Sequence, residues 1–380
     1  MKKNYKIGIL GGGQLGKMLT LAAQNWDVET WILDVSKDFP AGNSCTHFVE
    51  GSFKNYDDVI AFGKDKDVIT VEIESVNVEA LLQLQKEGKK IHPSPQALMT
   101  IKDKGIQKQF YQKHNLPTSP FILLDGKEAI LENLRSGKIK YPFVQKARTG
   151  GYDGRGVAVI KSESDNHIIM PVPSVIEPLV DIHKELSVIA ARNEQGVIKC
   201  FPVVEMEFNP VANLVEYLLC PAVVSQEIAD RCEKIAIDTI EAYDVCGLLA
   251  VEMFLTNDNE VLINEVAPRP HNSGHHSIDA NITSQYQQHL RAIMNLPLGN
   301  TDVKIPSVMV NLLGAEGHTG DAIYENMDQC MAVDGAKFHL YGKKITKPFR
   351  KMGHVTILNK DIEVAKMNAK YIRETLKIRS

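Results

Sequence analysis

The segment KARTGGYDGRGV, Lys146 to Val157, carries four glycines, three cationic side chains and one aspartate. Glycines at 150, 151, 154 and 156 leave backbone amides free to wrap an anion, and Lys146, Arg148 and Arg155 bring positive charge to it. The G-K-[ST] ending of a Walker loop is absent, so this is a different phosphate cover. An unliganded hairpin is the competing reading, weakened because each glycine costs about 1 kcal/mol inside a helix or strand. A second loop, GILGGGQLGKM at Gly8 to Met18, satisfies G-x-G-x-x-G and has Asp34 about 20 residues beyond it. NAD, a simple phosphate ester or a bare tight turn all fit that loop alone. Two such loops imply two anionic ligands.

The run LLAVEMFLTNDNEVLINEVAPR adds carboxylates. A two-residue turn at Asp258-Asn259 makes Asn257 face Glu260 and places Glu252 opposite Glu265. Their side chains then stand about 4.5–5.5 Å apart, which repels unless a cation lies between them. Hard oxygen ligands favour magnesium, which in turn accompanies nucleotide phosphates. Strand alternation puts Ala267 and Arg269 on the face of Glu265 and turns Asn264 away. A solvated hairpin is the alternative, opposed by apolar residues on both strands.

RPHNSGHHS holds His271, His275 and His276, but no glutamate stands in the helical zincin arrangement, so recognition of a polar ligand is favoured over zinc. KPFRKMGHV gathers Lys347, Arg350, Lys351 and His354 around a glycine, either an anion site or a solvated basic turn.

These residues need rigid supports. YKIGILGG, QLGKMLTLAAQNW and VETWILD read as a βαβ unit, and a Rossmann-like sheet should fill roughly the first hundred residues. A helix is expected from Gln96 to His114, then strands at YPFVQKAR, GVAVIKS and SVIEPLV around the glycine loop. From Asp181 on, strands HKELSVIAARN, GVIKCFPVVEMEF, the carboxylate hairpin and SVMVNLLG alternate with two helices.

With 380 residues the chain is read as two or three domains, and its 44% hydrophobic and 24% charged fractions are those of a globular protein. A formal charge of −4 gives no general pull toward nucleic acid or membrane. The six cysteines show no C-x-x-C pair and read as reduced thiols. The apolar start MKKNYKIGIL breaks at three glycines without a cleavage site, and a cytoplasmic setting is expected.

In order and in kind, GGGQLGKM, KARTGGYDGRGV, VEMF…LINEVAPRPHNSGH and RKMGHV resemble the 5-(carboxyamino)imidazole ribonucleotide synthase family of ATP-grasp enzymes, over almost the whole chain. The resemblance implies a mixed α/β and α+β fold, an ATP-grasp fold with an N-terminal Rossmann-like (pre-ATP-grasp) domain at 1–100, a central lid with its linker helix at 101–180, and a C-terminal ATP- and Mg2+-binding domain at 181–380. It further implies a homodimer that uses ATP and Mg2+, with Mn2+ as an alternative, to carboxylate 5-aminoimidazole ribonucleotide with bicarbonate through carboxyphosphate.

By the same resemblance, Lys146 contacts ATP phosphates, Glu177, Pro178, Leu179 and Val180 form the adenine hinge, and Glu185 takes the ribose hydroxyls. Glu252 and Glu265 match metal ligands, and Asn264 joins the nucleotide contacts although alternation turns it away. Tyr152, Asp153 and Arg155 face the reaction centre, where Asp153 orients or deprotonates the amine. Gly13, Gln14 and Leu15 hold the ribonucleotide phosphate and Glu72 is a substrate-side carboxylate. Arg269, His271, Asn272, Arg350 and Lys351 surround bicarbonate and ribonucleotide. Two departures stand out: Lys104 replaces a usual arginine, keeping charge but losing the planar fork, and Ala267 replaces the asparagine that ATP-grasp enzymes in general offer to metal. A relative that uses another acid, such as formate, remains the alternative, with an NAD-dependent dehydrogenase and a silent nucleotide-binding regulator behind it.

Overall fold

A computed structural model describes residues 5–151, 156–208 and 215–380. Apolar strands β1 (Lys6–Leu10), β2 (Glu29–Asp34), β3 (His47–Glu50), β4 (Val68–Val71) and β5 (Lys90–His92) form a parallel sheet in the order β3-β2-β1-β4-β5. Helices α1 (Gln14–Gln24), α2 (Tyr56–Gly63) and α3 (Val78–Lys86) connect them, and Asn55 and Asn77 cap the latter two by accepting from Asp58 N and Ala80 N. Chain direction across the sheet reverses between β1 and β4, and such a switch point opens a ligand crevice at the carboxyl ends of the strands.

One helix was expected from Gln96 to His114, yet there are two, α4 (Pro95–Lys102) and α5 (Lys104–Lys113). Asp103 breaks the run with an extended backbone (φ −115, ψ 111), and its carboxylate accepts from Gly105 N and Ile106 N as the cap of α5. That break turns Lys104 and Lys108, one turn apart on α5, toward a common cleft.

Next comes a small antiparallel sheet of β6 (Ile122–Leu124), β7 (Phe143–Ala147), β8 (Val157–Ile160) and β9 (Ser174–Pro178), ordered β6-β9-β7-β8. Helix α6 (Lys127–Arg135) closes its core through Ile130, against Phe143, Ile160 and Ile176.

The largest sheet has nine strands. It holds β10 (Ile182–Arg192), β11 (Ile198–Cys200), β12 (Val204–Phe208), β13 (Val215–Cys220), β14 (Gly247–Thr256), β15 (Val261–Ala267) and β16 (Ser307–Leu313), extended by strands Lys351–Leu358 and Ala336–Leu340. Helix α7 (Gln226–Ala242) covers one face with Ile228, Ile235 and Ile240, joined by Tyr111 of α5. Beyond β15 lie α8 (Ser277–Ala280) and α9 (Gln285–Ile293). Tyr286, Leu290 and Ile293 of α9 pack with Ile7, Ile9, Leu19 and Ile32, so the first sheet completes its core with a helix from far along the chain.

Candidate active site

Two carboxylates anchor the site. Glu252 on β14 pairs with Glu265 on β15, the expected register, but the route to it differs. Thr256 N donates to Glu260 O at 2.9 Å, so the turn spans Asn257, Asp258 and Asn259, with Asn259 left-handed at φ +60. A type I′ two-residue turn at Asp258-Asn259 needs positive φ at both residues and a type II′ turn needs it at Asp258, whereas only Asn259 is left-handed and closes the longer loop as its third residue. The register then shifts back between Glu252 and Met253, where Met253 faces Ile263 and Asn264 is the extra residue of a β-bulge. The bulge corrects the expected orientation of Asn264. Instead of pointing away, Asn264 sits beside Glu265, and its Oδ1 accepts from Lys146 Nζ at 2.8 Å.

Neighbouring β10 places Ser187 opposite Glu252 and Glu185 opposite Phe254, on the same face. Ser187 Oγ lies 2.9 Å from Ser273 Oγ, which is 3.0 Å from His271 Nδ1, and His271 Nε2 stands 3.5 Å from Glu252 Oε1.

Cations face this acidic strip. Lys104 Nζ contacts Glu265, Lys108 contacts Glu177, and Lys146 Nζ reaches Glu177 Oε2 at 2.8 Å. Burial and the charges of Glu265 and Glu185 push the Glu252 carboxyl up to about 8, whereas at Glu265 the Lys104 ammonium outweighs burial and holds it below the ordinary value. Burial raises Glu185 to about 7, with Lys146 opposing and Glu265 adding to the rise. Burial also raises Glu177, but Lys146 and Lys108 overcome it and keep that group low. A dication fits this arrangement, because two hard oxygen donors converge and one is held in its neutral form by its partner's charge. Among the described residues no group of three or more His, Cys, Asp and Glu side chains gathers as a metal cage, so the remaining ligands would be phosphate oxygens or water.

Glu177 is buried and its carboxylate is engaged by lysines, so only its backbone is open to a hinge role. Pro178 and Leu179 are exposed, Val180 is half-buried, and Leu179 N donates to Pro142 O at 3.3 Å. Arg148, at the base of the glycine loop, is engaged by a carboxylate. Its guanidinium grips Asp103, with Nε 2.9 Å from Oδ1 and Nη2 2.7 Å from Oδ2, pinning the base of the loop to the α5 cap. Tyr152, Asp153 and Arg155 lie outside the described residues.

At the switch point of the parallel sheet, Glu72 follows β4 and turns under the first glycine loop. Its Oε1 accepts from Gly13 N and its Oε2 from Gly16 N, both at 2.9 Å, and a Cβ on Gly13 would meet Oε1 at 2.5 Å. Asp34 Oδ2 likewise accepts from Gly12 N at 2.7 Å. Asp34, the acidic residue about 20 positions beyond the loop, thus braces it. Gln14 and Leu15 open α1, where first-turn N–H groups lack intrahelical acceptors and attract anions.

Arg269 joins the two halves. Its Nη2 is 2.8 Å from Glu74 Oε1, and it also feels the charges of Glu72 and Glu265. Arg269 Nε and both polar side-chain atoms of Asn272 are buried without partners among the described residues, which marks them as groups for a polar ligand. Lys351 bears electrostatically on Glu252, and Arg350 Nη1 donates to Ile345 O at 2.6 Å. His275 and His276 are buried, and burial pushes His276 down to about 4, so both are neutral imidazoles.

Two participants escaped the sequence reading. Lys108 stands one turn after Lys104, and Glu74 two residues after Glu72, spacings that carry the signal in hindsight. A cavity of about 320 Å3 lined by Val310, Leu312, Phe349, Arg373 and Ile378 lies apart from this constellation. Convergent acids and bases, more than cavity size, locate the chemistry.

Comparison with known proteins agrees with this geometry. Residues 3–102 match the ribonucleotide synthetase preATP-grasp domain, 109–286 the ATP-grasp domain and 307–368 the phosphoribosylaminoimidazole carboxylase C-terminal domain. Phosphoribosylaminoimidazole carboxylase of Candida glabrata is 39% identical over 368 residues, which cover 93% of this chain and 63% of that protein. The chain therefore spans somewhat less than two thirds of that relative's length. The crystal structure of N5-carboxyaminoimidazole ribonucleotide synthetase from Thermotoga maritima is 41% identical, with a TM-score of 0.91 and 99% of each chain covered. N5-carboxyaminoimidazole synthase of Aspergillus clavatus, in complex with ADP and 5-aminoimidazole ribonucleotide, is 30% identical with a TM-score of 0.90, covering 98% of this chain and 99% of that one.

Proposed function

Because the chain belongs to the N5-carboxyaminoimidazole ribonucleotide synthase family, of ATP-grasp fold, we propose that it uses ATP to attach bicarbonate to the exocyclic amine of 5-aminoimidazole ribonucleotide. The products are N5-carboxyaminoimidazole ribonucleotide, ADP and phosphate, as in purine biosynthesis. One observation carries the reading: Arg269 couples the lysine-lined acidic strip to the crevice at the β1/β4 switch point. A nucleotide on one side and a ribonucleotide on the other would meet at this guanidinium.

In the first step a bicarbonate oxygen bonds to the γ-phosphorus of ATP and the bond to ADP breaks, giving carboxyphosphate. In the second, the amine nitrogen attacks the carboxyl carbon, phosphate departs and the amine proton passes to a base, the role assigned to Asp153. Phosphoryl transfer needs positioning and charge neutralisation, which Lys146, Lys104 and Arg269 supply. Glu252 and Glu265 would hold Mg2+, or Mn2+, whose charge would offset that of the ATP phosphates. Asn264 keeps Lys146 directed, Tyr152 and Arg155 are assigned to the reaction centre by resemblance, and the Glu177–Val180 backbone takes adenine. His271, Asn272, Arg350 and Lys351 receive bicarbonate and ribonucleotide, whose phosphate sits over Gly13, Gln14 and Leu15. Carboxyphosphate is labile in water, so a lid at 101–180 closing between the substrate domain at 1–100 and the ATP domain at 181–380 would protect it.

A homodimer in the cytoplasm is the expected setting. The six cysteines are unpaired, and no helix among the described residues is long and apolar enough to cross a membrane.

Glu185, as the acceptor for ribose hydroxyls, binds best when ionised. Its raised value of about 7 makes nucleotide affinity fall as pH drops through neutrality. About tenfold weaker binding is expected a unit below that value, where only a tenth of the carboxyls are ionised. Lys146, Glu265 and Glu252 face the same group, so Glu185→Gln is the control: calorimetric titration with ADP should lose this slope, and an unchanged slope would reassign it.

The reaction itself is tested by following ADP and carboxylated product with Mg-ATP and bicarbonate, with and without 5-aminoimidazole ribonucleotide. Both products should appear together only when the ribonucleotide is present. ADP release that ignores the ribonucleotide would move the activity to another acceptor or acid.

A further inference from the structure

Lys108 is a buried cation that the reaction scheme leaves without a task. Its residue is 3% exposed, its ammonium contacts Glu177, and it donates to Thr118 Oγ1, which donates to Ile263 O at 2.9 Å. Glu177 is equally buried at 3% and receives Lys146 on its other oxygen at 2.8 Å. One carboxylate therefore faces two ammonium groups in an interior where a single counterion would balance it.

The surplus has a consequence for Lys146. This lysine is shared among Glu177, Asn264 Oδ1 and, on the function proposed above, the phosphates of ATP. A buried carboxylate stripped of its only partner is strongly disfavoured, so a Glu177 that depended on Lys146 alone would hold it back from any ligand. Lys108 removes that dependence. Burial lowers its own proton affinity and the neighbouring charges of Lys146 and Lys104 add to this, while Glu177 opposes them, so its ionisation is sustained by the same carboxylate it neutralises.

We propose that Lys108 is a positioning residue for ATP: it keeps Glu177 compensated so that Lys146 can leave that carboxylate for the nucleotide phosphates. This rests on the reading that ATP phosphates lie at Lys146, and the test separates the two ideas.

ATP and ADP binding to the wild-type 380-residue chain, Lys108→Met, Glu177→Gln and the double variant would be measured by calorimetry, alongside KM and kcat. Lys108→Met should weaken ATP on the order of tenfold or more, as a buried carboxylate now competes for the same ammonium. KM for ATP should rise more than kcat falls. Glu177→Gln removes the competitor, so the double variant should regain most of the lost affinity, and Lys108→Arg should retain it. Merely structural damage would not be repaired by a second substitution. Should Lys108→Met not fold, Glu177→Gln alone decides the matter, because it should bind ATP at least as tightly as wild type. Unchanged affinity in Lys108→Met, no recovery in the double variant, or weakened ATP binding in Glu177→Gln would overturn the proposal. A wild-type protein that binds no ATP would overturn the site assignment itself.

Discussion

Replacing Glu265 by alanine is expected to lower ATP turnover by roughly 10²–10³-fold or more, the scale of losing one electrostatic element of a phosphoryl-transfer site. The fold should survive, for a specific reason. Glu265 is one of two half-buried carboxylates that oppose each other across β14 and β15, and its charge is among the causes that hold Glu252 near a value of 8. Without it, Glu252 loses a repulsive neighbour and retains the influence of Lys104 and Lys351, so it ionises more readily. Lys104 loses its ion-pair partner as well, a place that the ionised Glu252 can take, so thermal melting in metal-free buffer should stay close to that of the wild type, while the concentration of Mg2+ needed for ADP release rises. Near-full turnover at ordinary Mg2+ would remove Glu265 from the metal site, and a collapse of melting temperature would make its role structural.

The pairing of Glu252 with Glu265 was legible in the sequence although the path to it was not. A turn one residue longer than expected shifts the register by one, and the bulge at Asn264 shifts it back. Period-two alternation cannot announce a bulge, because the extra residue looks like any other strand position. The bulge sets Asn264 beside Glu265, where it meets Lys146. Similarly, helix-forming residues on both sides of Asp103 masked a break that only its capping geometry reveals. Local motifs such as the glycine loops were plain, but their partners lie far along the chain. Glu72 filling the amides of Gly13 and Gly16, Arg148 gripping Asp103, and Lys108 reaching Glu177 depend on tertiary packing that no window of sequence contains. Glu74 is the sharpest instance, for it lies two residues after Glu72 while the arginine that meets its charge is far along the chain.

That arginine carries the second large effect. Arg269→Met should both destabilise the protein, by about 1–3 kcal/mol as expected for a half-buried ion pair between the exposed and buried limits, and abolish product formation. The two losses have different origins and can be separated. Stability falls because Glu74 loses its 2.8 Å partner while Glu72, already raised by burial, loses a nearby positive charge. On the proposed function, activity falls because no guanidinium remains between the acidic strip and the switch-point crevice, and the Nε that has no partner among the described residues is no longer there to meet a ligand. The double variant Arg269→Met, Glu74→Gln removes the stranded charge and should recover much of the melting temperature without recovering turnover. Arg269→Lys should keep part of the stability, since it keeps the charge, yet remain slow because an ammonium cannot address Glu74 and a ligand with one planar fork. If the double variant regained turnover together with stability, Arg269 would be a strut between domains, and the chemistry would fall to Lys146 and Lys104.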